Sequence, residues 1–252
     1  MNKDIYVHLS GDHNMEAPNQ IVPLLHKYFA PASVVDYGCG IGNFLYKFKE
    51  YGVSKILGID GPWCKNDLQM LQDGELAIRD LKEDLGLNEK FDLAISFEVA
   101  EHLDSQYADK IIKDLTSLAD VVIFSAALPG QGGQNHVNEQ WPEYWVKRFK
   151  DNGYTCFDAL RPLLWNTANI QFWYKQNMFV AIRSTNTEAI STLKDSFPYI
   201  NDMDNTVNSI IHPHLLDLKI KRIDRLVRMF KGKASLEEYK MELMKPFTKK
   251  YK

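Results

Sequence analysis

Five short apolar runs recur between residues 34 and 126, interleaved with stretches of helical spacing. That alternation restricts the chain to an α/β fold built on a parallel sheet. The runs are Val34–Tyr37, Lys55–Asp60, Leu76–Leu81, Phe91–Phe97 and Val121–Ala126. Helices are expected over Phe44–Tyr51, Cys64–Leu71 and Ser105–Leu118. A further helix, Pro142–Asn152, is closed by Gly153, the residue type that accepts a left-handed turn at a helix end. Cys156–Leu160 and Phe172–Ile182 then read as two strands with no long helix between them, hence an antiparallel hairpin. The fold class expected is α/β: a doubly wound, mostly parallel seven-stranded sheet with an antiparallel edge hairpin, plus a helical C-terminal extension. The catalytic domain would span 1–184. Residues 185–252 read as an extension packed on it, with 185–208 polar and irregular. Leu215, Leu218, Ile223, Leu226, Val227 and Phe230 then recur at helical spacing.

Several function classes drop out. No apolar run approaches the roughly 18 residues of a membrane span. Met1-Asn2-Lys3-Asp4 carries no apolar signal region. Cys39, Cys64 and Cys156 are scattered and odd in number, which fits a reducing compartment and a cytoplasmic location. The net charge of −3 is uneven: Lys219–Lys252 holds 12 basic and 4 acidic residues, the remainder 18 and 29. An acidic body argues against a nucleic-acid groove. The basic tail suits peripheral contact with an anionic surface, a contact between copies of the chain, or plain solvation; a monomer and a homodimer are both compatible with it.

Asp36-Tyr37-Gly38-Cys39-Gly40-Ile41-Gly42 follows a β-branched strand and opens a helix. Glycines there let backbone approach a ligand without a Cβ in the way. The spacing is not that of a dinucleotide fingerprint, since position 43 is Asn43 where a glycine would stand. Asp36 would repel a pyrophosphate but not a sulfonium-bearing amino acid.

These residues resemble the first motif of the class I S-adenosylmethionine-dependent methyltransferases, and the resemblance covers about residues 20 to 183. It implies that Asp36, Gly38, Cys39 and Gly40 cradle the methionine end and that Asp60 and Gly61 lie at the ribose. Asp80 and Leu81 would hold the adenine, with Pro62 or Trp63 covering it, and Phe97 would close the pocket. A carboxylate such as Asp60 suits a diol because each of its oxygens accepts a hydrogen bond.

Phe97-Glu98-Val99-Ala100-Glu101-His102-Leu103 ends the fourth run, and ligands of open α/β sheets bind at such carboxyl ends. The glycine-rich segment Pro129–Gln140, with His136 in it, follows the adjacent fifth run and should overhang the same edge. The Glu-x-x-Glu-His element resembles that of the ubiquinone and small-RNA 2′-O-methyltransferases. Carried over, Glu98, Glu101, His102 and His136 would hold a divalent cation (Mg, Mn, Co or Zn), with His102 and His136 also the catalytic candidates. Metal-free roles for these histidines, as general base or as ordered structural groups, stand beside that reading. Glu139 either orients His136 or, with Asn138, caps the next helix. His13 is a candidate for the pocket lining, His26 and His212 for structural roles, and the Trp141, Trp145, Trp165, Trp173 and Tyr174 group for a stacking platform or core.

His136-x-Asn138-Glu139-Gln140 and Tyr174–Asn177 further resemble methyltransferases of surface-glycan pathways. The implied activity is O-methylation of a hydroxyl on a sugar, nucleotide sugar or glycan-like small molecule, possible in surface polysaccharide biosynthesis. Alternatives are N-methylation of an amino sugar and a non-catalytic cofactor-binding scaffold subunit.

Overall fold

The structure, a computed structural model, describes residues 14–64 and 68–243. The chain divides into two compact units, one ending at Ser209 and the other beginning at Ile210.

In the first unit the order is α1 (Glu16–Phe29), β1 (Ser33–Tyr37), α2 (Asn43–Glu50), β2 (Lys55–Asp60) and β3 (Leu76–Ile78). There follow β4 (Leu93–Phe97), α3 (Ala108–Leu118), β5 (Val121–Ser125), α4 (Pro142–Asp151) and β6 (Tyr154–Phe157). Two short helices, α5 (Arg161–Leu164) and α6 (Phe172–Asn177), precede β7 (Phe179–Arg183) and α7 (Thr187–Ser196). The seven strands form one sheet in the order β3-β2-β1-β4-β5-β7-β6. All neighbours are parallel except β7, which runs antiparallel to both β5 and β6. The doubly wound sheet with its antiparallel edge is thus as the residue pattern predicts.

Alternate side chains of each strand serve opposite cores. Val34, Ile95, Ile123 and Val180 face α1, α2 and α7, against Leu25, Phe48 and Leu193. Val35, Ala94, Phe124 and Ala181 face α3 and α4, against Ile111, Leu115 and Phe149. Both faces being covered, the strands read as continuous apolar runs instead of alternating ones. Each fully buried Leu or Phe contributes about 1.5–3 kcal/mol. The winding reverses between β1 and β4, which opens a crevice beyond their carboxyl ends, at Gly38 and Glu98.

Three expected elements are corrected. Residues Phe172–Asn177 form helix α6, not the start of a strand; aromatic content signals a pleated surface, but here Tyr174 packs edge-on against Phe44 and Phe97. No helix runs over the described part of Cys64–Leu71. Only Pro62–Cys64 makes a 3₁₀ turn, and the following backbone is taken up by the glycine loop. The Met70 N–H donates to the Ile41 carbonyl, and the Gln69 amide donates to the carbonyls of Gly40 and Cys64. The supposedly irregular stretch after Thr185 contains α7, started by the Asn186 side chain accepting from the Ala189 N–H.

The second unit holds α8 (Pro213–Phe230) and α9 (Leu236–Leu243). His212 caps α8, its Nδ1 accepting from the His214 N–H. Arg222 and Arg225 pair with Glu242, and Arg228 with Glu238. No described helix is long and apolar enough to cross a membrane.

Candidate active site

The turn from β1 into α2 forms one wall of a cleft. Gly38 has φ +84°, and a Cβ there would lie 2.4 Å from Val99 Cγ2, so only glycine lets the two strand ends approach. Across the turn, Asp60 at the end of β2 accepts from the Gly40 N–H at 2.7 Å and from the Gly61 N–H at 2.6 Å. One carboxylate thereby shapes the loop that the resemblance assigns to the cofactor. The cleft is lined by Asp36, Gly38, Cys39, Gly40 and Asp60 on this side. Trp63, Asp80, Leu81 and Lys82 continue the wall, and Phe97, Glu98, Val99, His102 and Tyr174 complete the far side. Gly61 is not a lining residue; it sits under the Trp63 ring. Asn43, Phe44, Lys82, Leu103 and Asn135 line the cleft without having been singled out from sequence. They come from four separate segments, and no local pattern marks them. His13 lies outside the described residues.

Asp36 is the buried carboxyl behind the loop. Burial first, and the Asp60 charge second, push its carboxyl well above the ordinary carboxylate range. The ionised form is therefore disfavoured in the folded chain. Stability that is intact below the unfolded carboxyl range is lost as pH rises through that range toward the raised folded value. Asp36→Asn is accordingly expected to melt higher than the parent at pH 7. The difference should shrink to nothing as the pH falls below the unfolded carboxyl range. A set of thermal melts between pH 3 and 8 measures it; a gap that widens toward acid would show the opposite sign.

The second half of the site is built on the 3₁₀ turn Ala100–His102, at the end of β4. Its Glu101 carbonyl accepts from the N–H groups of Val137 and Asn138, which docks the glycine-rich loop directly on the turn. Glu139 then organises that loop from inside. Its carboxylate accepts from the Gly130 and Gly132 N–H groups at 2.7 and 2.5 Å and meets His136 Nδ1 at 2.9 Å. Of the two readings of Glu139, orientation of His136 is the one the geometry shows; α4 begins later, at Pro142. With Nδ1 facing Glu139, His136 Nε2 remains for other chemistry. Gly133 makes room for that ring, since a Cβ there would fall 2.1 Å from Nε2.

The His102 and His136 rings meet edge to face at 4.8 Å. Ligand atoms of Glu101, His102 and His136 all lie within 4.8 Å of one another. Glu101 is 0% exposed; the backbone N–H groups of Glu101 and Ala127 and the Glu98 carboxyl lie near its carboxylate, but none makes a well-aligned hydrogen bond to it. Burial first, and the nearby Glu98 charge second, hold its carboxyl well above the ordinary range. A carboxylate buried this deeply with only weak donors is stabilised by a proton or by a cation. One oxygen and two imidazole nitrogens are a fitting donor set for a divalent transition metal. Glu98 falls outside this group. Its carboxylate accepts from Gln131 Nε2 at 2.8 Å and from Asn177 Nδ2 at 3.0 and 3.1 Å.

Of the aromatic group, Tyr174 lines the cleft while Trp145 fills the core against Phe124. His26 stays in α1, its ring beside Tyr51.

Residues 12–167 match the model of a family described as a methyltransferase domain. No curated protein matches the chain. Among solved structures, the methyltransferase domain of a bacterial protein, CtHen1-C, is similar at 21% identity. The match covers 67% of this chain and 96% of that one, with a TM-score of 0.48. Magnesium protoporphyrin IX methyltransferase from Synechocystis PCC 6803, solved with bound SAH, is 20% identical over 68% of this chain and 83% of its own, TM-score 0.47. A candidate O-methyltransferase from Nostoc punctiforme PCC 73102 is 15% identical over 66% of this chain, TM-score 0.46. The match spans 55% of the Nostoc protein's length.

Proposed function

Because the chain belongs to the methyltransferase domain family, we propose that it moves the methyl group of S-adenosylmethionine to a hydroxyl of a sugar, nucleotide sugar or glycan-like acceptor. The observation that carries this reading is a single cleft lined at one end by the glycine loop, Asp36, Asp60 and Asp80, and at the other by Glu98 and His102. The first end suits a cofactor that joins an amino acid, a diol and a base. The second presents carboxylate and imidazole groups, which suit a hydroxyl-rich acceptor.

In the transfer, the acceptor oxygen attacks the methyl carbon, the carbon–sulfur bond breaks, and its electron pair returns to sulfur. The hydroxyl proton must leave. In the absence of a cation we assign that proton to His102, which lines the cleft with His136 edge-on to it. A divalent cation held by Glu101, His102 and His136 would lower the hydroxyl's pKa when bound. Phe44, Phe97 and Tyr174 supply an apolar wall between the two ends, which limits water at the reacting carbon.

Asp60→Ala is expected to weaken binding of S-adenosylhomocysteine by about 1–3 kcal/mol, the scale for hydrogen bonds to a charged group. Titration calorimetry reads this directly. Binding of NAD in place of the methionine cofactor would remove the whole reading. Mass spectrometry of products from a panel of hydroxylated and aminated sugars tests the acceptor class: a methyl ether supports it, a methylated amine overturns it.

A further inference from the structure

We propose that Glu98 is a positioning residue that latches the glycine-rich loop over the site, and that the cation set is completed by Glu101, His102 and His136 without it. The inference rests on the cation reading for its ligand half and on geometry alone for its latch half.

Glu98 sits at φ +57°, a left-handed conformation that is strained for a non-glycine residue and persists only where the surroundings impose it. The surroundings do so. Its N–H donates to the Ser125 carbonyl and approaches Ser125 Oγ, which pins the backbone to the end of β5. The side chain is thereby aimed at α6 and the loop. The Asn177 amide donates to both Glu98 oxygens and to Gln131 Oε1. The Gln131 amide donates to Glu98, and the Gln176 amide donates to Gln131 and Asn177. Gln176 and Asn177 are buried while Glu98 and Gln131 are half-buried, so the network runs from the protein interior to the cleft wall with the Glu98 carboxylate at its centre.

The network and the Glu139 nest act on the same three residues from two sides. Glu139 holds the N–H groups of Gly130 and Gly132, while Glu98 holds the side chain of Gln131 between them. His136 is the only imidazole that this loop brings to the site, so fixing residues 130–132 fixes a ligand. Glu98 is already engaged by two amides, and although its carboxyl also lies within reach of Glu101, it falls outside the group whose donor atoms all lie within 4.8 Å of one another.

The test uses the full chain with Co²⁺ and Mn²⁺ as probes. Glu98→Gln keeps the shape and one acceptor oxygen but removes the charge and turns the other oxygen into a donor facing the Gln131 and Asn177 amides, so it weakens the latch. Hydrogen exchange of the amides of residues 130–132 should speed by about tenfold or more. Co²⁺ affinity should fall by no more than roughly tenfold, with the visible absorption bands of bound Co²⁺ unmoved, because the donor set is the same. Glu101→Gln and His136→Ala should instead lose affinity by on the order of a hundredfold and shift or abolish those bands. Gln131→Ala should reproduce Glu98→Gln, and the double variant should be no worse than either single one, as expected for two ends of one contact. Shifted bands or a Glu101-like loss of Co²⁺ in Glu98→Gln would overturn the proposal, as would unchanged loop exchange. If the parent protein binds neither ion, the cation reading fails, and the exchange data alone decide the latch.

Discussion

Stripping divalent cations from the protein is expected to cut methyl transfer by about two to three orders of magnitude while S-adenosylhomocysteine affinity stays within about twofold. The activity term follows from the several kcal/mol that a Lewis acid contributes to activating a hydroxyl. The binding term follows from the geometry: Asp60 is tied to the loop N–H groups of Gly40 and Gly61, and none of these contacts involves Glu101, His102 or His136. His136→Ala should reproduce the effect. Gly133→Ala is the sharper variant, because its φ lies outside the left-handed region and the new Cβ would press on the His136 ring. It should displace the imidazole and leave the backbone unstrained. Product formation measured before and after chelation, then with Mn²⁺ restored, checks all three proteins. Activity that survives chelation yet dies in His136→Ala would make the histidine a general base or a structural group in place of a ligand.

The largest stability effect belongs to Arg161→Ala, expected to cost about 3–5 kcal/mol, as for one partner removed from a buried ion pair. Arg161 is 1% exposed and pairs through two nitrogens with Asp158, its Nε lying 2.7 Å from Oδ1. Its remaining donors reach the carbonyls of Gln176 and Asn208, at 3.0 and 2.8 Å. Truncation leaves Asp158 buried without a counter-charge and two carbonyls without donors. For a unit of this size the loss corresponds to a melting temperature lower by roughly 10 °C. Asp158→Asn combined with Arg161→Met should recover a good part of it, since removing both charges also removes the desolvation cost. Calorimetric melts of the two variants decide the matter. An Arg161→Ala melt within about 2 °C of the parent would show that the pair contributes little.

Much of this site is readable from the residues because the signals are local. The strand-glycine-helix turn, the acidic residue closing β2 and the Glu-x-x-Glu-His turn each announce themselves within about seven positions, and the sheet brings their ends to one edge. What was not readable depends on partners far apart in sequence. Nothing near Phe172 says that Tyr174 will meet Phe44 and Phe97, so aromatic content reads as strand where the chain makes α6. Nothing near Cys64 says that the Gln69 side chain and the Met70 N–H will be used by the Gly40–Ile41 loop, so helical spacing misleads there. Glu98 carries the residue type of a ligand, and only the positions of Gln131 and Asn177 show what its carboxylate does. Lys82, Asn43 and Asn135 enter the cleft for the same non-local reason.

Helix α6 is six residues long, with Tyr174 against the aromatic wall of the cleft and Asn177 on Glu98. An element that short moves as one piece. A ligand that displaces Tyr174 therefore does work on Asn177, and through Gln131 on the loop that carries His136. The thermodynamic corollary is reciprocity: by whatever factor a ligand at one end changes the affinity at the other, a ligand at the other end changes the affinity at the first. On the proposed reading, six residues would thus carry a coupling between cofactor and acceptor that is equal in size whichever of them binds first.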